Sequence, residues 1–209
     1  MAKMEWMVSF MLLYKSNKLH KLLPGKFLFA VLLCTLIIYA MPKSGYAQGF
    51  RILAAETKLK DHVIQLDANM DLKFSDDALE ALRSGVPLII LINIEVLKDR
   101  NWWWDKTIAE LEQGYLLLYH ALSEKYIIHN LNSGAQQNYI SLQTALYSLS
   151  NLRDFPLIDK NLLEKDNNYY VRLRTYLDIE SLPAPMRPIA YISSQWQLES
   201  DWFSWPLKP

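Results

Sequence analysis

The strongest pattern along the chain is strict alternation: Ile64, Leu66, Ala68, Met70, Leu72 and Phe74 are apolar, and Gln65, Asp67, Asn69, Asp71 and Lys73 between them are polar. A period of two sets one series against a core and the other in water, so this is a long strand buried on one face. Residues 50–57 form a shorter apolar stretch, and the polar residues 58–61 join the two into an antiparallel hairpin. Ser75 then caps a short helix, with Asp76 and Asp77 in its first turn, where the helix dipole favours negative charge, and Gly85 at its end. Residues 86–96 are apolar in both alternating sets until Asn93 and Glu95, which predicts a central strand covered on both faces.

Residues 106–120 read as a further strand in which Gly114 marks a bulge. Residues 126–129 and 136–140 flank the turn-rich Leu131-Asn132-Ser133-Gly134 and predict a second hairpin. Ser141 caps a second helix, whose Leu142, Ala145, Leu146 and Leu149 share a face, and Pro156 lies beyond its end. After a short helix or turn at 159–165, residues 169–179 alternate again, with Arg172 and Arg174 on the wet side. A stiff segment with Pro183, Pro185 and Pro188 leads to a last strand around 191–198, and the tail keeps Trp202 and Trp205. About seven or eight strands with two or three short helices predict a mainly β (α+β) domain, an antiparallel immunoglobulin-like β-sandwich carrying helical insertions.

The first 47 residues change the picture of where this domain works. Lys15, Lys18, Lys21 and Lys26 precede the uncharged run 27–41, and Pro42 and Gly45-Tyr46-Ala47 follow it. This is the layout of a secretory signal cleaved before Gln48, leaving one domain over 48–209 in the periplasm. The alternative is an uncleaved anchor that tethers the domain to the inner membrane. Its apolar run of 15 residues falls short of the roughly 20 that a spanning helix needs. Membrane contact is expected only in that case. Cys34, the one cysteine, belongs to the leader, so the domain has no disulfide and relies on packing.

Without the leader, 16 basic groups face 21 acidic ones, a balance of −5. A mildly acidic surface with no basic cluster argues against nucleic acid as a partner. Asp67-Ala68-Asn69-Met70-Asp71 opens like a calcium loop, but Leu72 stands at the glycine position and Ala78 at the bidentate glutamate, so the outward face of a strand explains it. His62, His120 and His129 have no zinc spacing, and neither a phosphate-cradling glycine cluster nor a serine elbow is present. No metal, cofactor or catalytic residue is therefore assigned. A hydrolase would need groups such as His120 with Asp105 or Asp178 to be assembled by the fold.

The candidate binding residues are Arg100, Trp102, Trp103, Trp104, Trp196 and Trp202. Three consecutive indoles after a central strand form either an interface anchor or the closure of one end of the sandwich together with Trp196. Arg172 and Arg174 are expected to pair with acidic neighbours.

The segments Ala81-Leu82-Arg83-Ser84-Gly85-Val86-Pro87, Arg100 with Trp102-Trp103-Trp104-Asp105, Leu118-Tyr119-His120-Ala121-Leu122, Leu177-Asp178 with Leu182-Pro183, and Trp196-Gln197-Leu198-Glu199-Ser200 with Trp202 resemble the domain of unknown function family numbered 4390. The resemblance implies an exported protein of a Gram-negative bacterium and carries over no catalytic residues. It also implies an envelope partner such as a membrane sensor kinase. The leading expectation is a periplasmic interaction module, an accessory to an envelope sensor. The alternative is a periplasmic small-molecule carrier with an aromatic-lined pocket.

Overall fold

The computed structural model describes residues 49–100, 104–164 and 167–207. Strands β1 (Phe50–Lys60) and β2 (Val63–Leu72) form the expected hairpin. Pairing continues through Lys58↔Gln65, Leu59↔Ile64 and Lys60↔Val63, so the reversal falls on Asp61 and His62, both at positive φ. A two-residue turn of that hand follows the twist of the strands it joins. Ile64, Leu66, Ala68, Met70 and Leu72 are buried, as the alternation requires.

Helix α1 (Asp76–Arg83) begins where Ser75 Oγ accepts a hydrogen bond from Ala78 N–H, and it buries Ala78, Ala81 and Leu82. It delivers the chain to β3 (Leu88–Lys98), which pairs with β4 (Lys106–His120). Next come the hairpin β5 (Lys125–Asn130) and β6 (Gln136–Tyr139), then α2 (Leu142–Leu149), capped by Ser141. Strand β7 (Asn151–Asp159), β8 (Tyr169–Leu177), α3 (Arg187–Ile192) and β9 (Phe203–Leu207) complete the chain, with single 3-10 turns at Lys160–Leu162 and Ile179–Ser181.

All pairings are antiparallel and divide into two sheets, β1-β2-β7 and β6-β5-β4-β3-β8-β9. The mainly β, sandwich-like fold expected from the alternation is present. One core spans both sheets: Ile64 and Leu66 of β2, Ile90, Ile92 and Ile94 of β3, and Val171 and Leu173 of β8 are each at most 1% exposed. Both capped helices lie where the chain changes sheet, α1 between β2 and β3 and α2 between β6 and β7. Their apolar faces close the core at these crossings.

Four local expectations are corrected. Residues 191–198 are not a strand: Arg187–Ile192 is a helix with Pro188 in its first turn, where no N–H is required, and Ser193 to Gln197 are turns or coil. β7 was hidden because Pro156 and the positive φ of Asp154 interrupt its pattern; it lies at a sheet edge, where a proline costs no ladder bond. β3 is interior to its sheet but packed on one face, since Ile89, Leu91, Asn93 and Glu95 are only half-buried. Gly114 is no bulge, because Leu91↔Gly114 lies in unbroken register and the shift falls at Val96/Leu97. Gly114 instead admits the loop after β5: an added Cβ would come 3.1 Å from Leu131 Cδ1.

Candidate functional site

Two surfaces collect the residues with binding chemistry. The first is the outward face of the six-stranded sheet, where register places Asn93 opposite Arg174 and Glu95 opposite Arg172. Arg172 donates to Glu95 Oε2 from Nε at 3.0 Å and from Nη2 at 2.7 Å. Trp202, in the coil before β9, lies over both guanidinium groups at 4.5 and 4.7 Å from its ring centre, and Arg174 also meets Tyr176 at 5.1 Å. The expected acidic pairing therefore holds for Arg172 and fails for Arg174, which forms no ion pair with a described residue and is held by two aromatic rings. Arg174 Nε and Asn93 Oδ1 are buried without a hydrogen-bond partner among the described residues.

At the end of this face, Tyr170 donates to Asp105 Oδ2 at 2.6 Å, and Arg100 N–H donates to Asp105 Oδ1 at 3.2 Å. The carboxylate beside it pushes the Tyr170 phenol up to about 12. The Arg100 backbone is thus tied to this rim, whereas Trp104 is 92% exposed and closes nothing. Trp102 and Trp103 lie outside the described residues.

The second surface surrounds Trp196, at the other end of β3. The indole is 5% exposed, and Ser75 ties its chain segment to the start of α1: Ser75 Oγ donates to Gln195 O at 2.6 Å. One serine thus caps a helix and anchors the floor of a cleft. On one side of the indole an opening of about 400 Å³ lies between α1 and α3, lined by Asp77, Glu80, Ala81, Val86, Met186 and Ile189 among others. On the other side a second opening, also about 400 Å³, is lined by Tyr176, Asp178, Glu180, Gln197 and Glu199 among others. Among the described residues neither lining contains a lysine or an arginine, and none of the five carboxylates forms an ion pair. Above the first opening, α3 buries only Ala190 and leaves Ile189, Tyr191 and Ile192 at 62%, 52% and 84% exposure. Ile189 and Ile192 are one turn apart, so they form one apolar edge.

The model of the family described as a domain of unknown function, DUF4390, matches residues 47–206. The chain belongs to this family. No curated protein and no solved structure matches it.

Within this DUF4390 domain the sequence-predicted residues divide by location. Trp202 sits on the sheet face and Arg100 at its rim, while Trp196 is buried at the opposite end and cannot close the sandwich alongside Trp104. His120 and Asp105 lie at the two extremes of β4; His120 Nδ1 is 2.9 Å from Ser123 Oγ, and Asp178 caps the turn at Ile179–Ser181. The fold therefore does not assemble the His120, Asp105 and Asp178 grouping. His120 pairs with Lys125 and His129 with Leu116, so these two imidazoles do not face each other across their strands. Among the described residues no helix is long and apolar enough to cross a membrane.

The sequence hides the cleft because its parts are scattered along the chain and the strand expected at 191–198 overlaps α3 only at Tyr191 and Ile192. Arg187-Pro188 ahead of Ile189 and Ile192 was the available helix signal.

Proposed function

We propose that this DUF4390 protein is an exported, non-catalytic interaction module of the periplasm that holds a partner protein in the cleft beside Trp196. The observation that carries the reading is α3, a helix that leaves Ile189 exposed at the edge of an apolar groove and Ile192 exposed one turn further on. Exposed apolar side chains that adjoin a groove mark interaction surfaces, because covering them removes apolar area from water. The lysine-flanked apolar leader supports export, and the family resemblance implies an envelope sensor as the class of partner.

Comparative capture from envelope extracts tests this, with the intact chain as bait against Ile189→Asp and Ile192→Asp. Both sites are exposed, so thermal midpoints should stay close to wild type. A protein retained by wild type and lost by the variants is expected. No retained protein, or equal retention by the variants, contradicts the reading. A reporter enzyme joined after Pro209 that is active only in the cytoplasm would remove the periplasmic setting.

A second reading, a small-molecule carrier, is favoured by an open groove of about 670 Å³ that includes Phe50, Trp202 and Phe203 along with Arg51 and Lys73. Native mass spectrometry of protein purified from its own envelope separates the two. A co-purifying small molecule is expected only for the carrier.

A further inference from the structure

The cleft beside Trp196 also specifies the chemistry of what enters it. We infer that its occupant is a basic amphipathic helix of a partner protein, with its apolar side on the Ile189 and Ile192 edge of α3 and its lysines or arginines along Asp77 and Glu80 of α1. This inference rests on the interaction reading above and adds the identity of the recognised element.

Charge is the first argument. Asp77 and Glu80 edge one opening and Asp178, Glu180 and Glu199 the other, with no base in either lining among the described residues. Asp67, Asp71, Glu95 and Glu164 are paired with Lys58, Arg51, Arg172 and Lys98, and other exposed acids such as Glu56, Glu110 and Glu112 form no ion pair with a described residue, so what sets the cleft apart is that its acids border an apolar groove. Asp77 also serves the dipole of α1 from its first turn, but Glu80 lies beyond that turn, and Asp178, Glu180 and Glu199 belong to other segments. Asp178 accepts from Glu180 N–H and Glu180 from the Tyr191 hydroxyl, whose surroundings also include Arg187, whereas Asp77 and Glu80 edge the groove and form no ion pair with a described residue. Acids so placed raise the local concentration of basic ligands and repel anionic ones.

Shape is the second argument. The groove runs between two helices, and its α3 edge presents side chains one turn apart, the spacing that meshes with the i, i+3 and i+4 rows of a docked helix. The same carboxylates disfavour an anionic bilayer, whose surface attracts basic segments. A protein helix satisfies both the apolar and the electrostatic requirement.

The test titrates the intact chain into fluorescently labelled synthetic helices of about 14 residues, long enough to fold when docked. One peptide carries Leu at helical spacing with Lys elsewhere, and the other replaces every Lys by Glu. Vesicles of phosphatidylglycerol and phosphatidylethanolamine form a third arm. The Leu/Lys peptide is expected to bind, and the Leu/Glu peptide and vesicles are not. Asp77→Lys with Glu80→Lys, and separately Ile189→Asp, should each weaken binding about tenfold or more. Glu56→Lys, an exposed acid on β1, serves as the charge control and should change nothing.

No binding of the Leu/Lys peptide, equal binding by the cleft variants, preference for the Leu/Glu peptide, or capture by vesicles alone would overturn the inference. If a protein from envelope extracts still depends on Ile189 and Ile192 while the basic peptide does not bind, only the partner chemistry fails and the interaction reading stands. If both dependences are absent, both fall.

Discussion

The sheet face around Trp202 and the cleft around Trp196 use similar side chains to opposite effect. On the sheet face the charges around Trp202 are answered within the domain: Glu95 accepts two bonds from Arg172, Trp202 and Tyr176 cover Arg174, and Asp105 accepts from Tyr170, although Glu110 and Glu112 on the neighbouring strand form no ion pair with a described residue. Around Trp196 the indole is buried as part of the core, while Ile189 and Ile192 stay exposed and Asp77, Glu80 and Glu199 form no ion pair with a described residue. Aromatic content alone therefore does not mark a binding surface. What distinguishes the cleft is the juxtaposition of apolar exposure with one sign of charge.

The sharpest way to break this comparison is to truncate each indole. Trp196→Ala removes a buried side chain and should cost about 3–5 kcal/mol in chemical denaturation. Trp202→Ala removes mainly stacking on two arginines and should cost about 1–2 kcal/mol. Equal costs would mean that the two indoles do not differ in structural role.

Next in size is Ser75→Ala, which removes both the α1 cap and the bond to Gln195 O. A loss of about 1–2 kcal/mol is expected. If Ser75 also sets the floor of the cleft, the indole N–H resonance of Trp196 should move in the same variant. An unmoved resonance would reduce Ser75 to a cap.

The sheet face carries a pH signature. Because Asp105 holds the Tyr170 phenol up to about 12, against about 10 for a free phenol, the neutral form is favoured in the fold. That stabilisation is complete below about pH 10 and is lost as pH rises from there towards 12. Ultraviolet titration should find one tyrosine ionising near 12, and Asp105→Asn should bring it down towards the ordinary range. The smallest effect belongs to the cleft rim: Glu80→Lys, at an exposed position beyond the first turn of α1, should alter stability by no more than about 0.5 kcal/mol, and Asp77→Lys, which reverses a first-turn charge, by about 1 kcal/mol. A larger loss would assign these acids to the fold instead of the surface.

Legibility in the sequence followed the strength of local pattern. β2 and β8 were visible because their alternation is unbroken, and the helices after Ser75 and Ser141 because a cap precedes a set of apolar residues on one face. β7 and β9 were missed, the former for Pro156 and the bulged Asp154, the latter because Phe203, Trp205 and Pro206 read as a tail. The sheet face was partly legible, since alternation put Arg172 and Arg174 on one side. Their partners were not, because Glu95 lies 77 residues away from Arg172 and Trp202 reaches them from the coil before β9. The cleft was less legible still. Its acids come from α1, the turn after β8 and the segment before β9, and only the packing of Trp196 between them makes one surface.

The most direct measurement places a photocrosslinking side chain at Ile192 in intact cells, with Ser204 on the opposing sheet face as the comparison position. The account predicts a discrete protein adduct at Ile192, abolished by Glu80→Lys, and none at Ser204. No protein adduct at Ile192, or one that persists unchanged with Glu80→Lys, would contradict it.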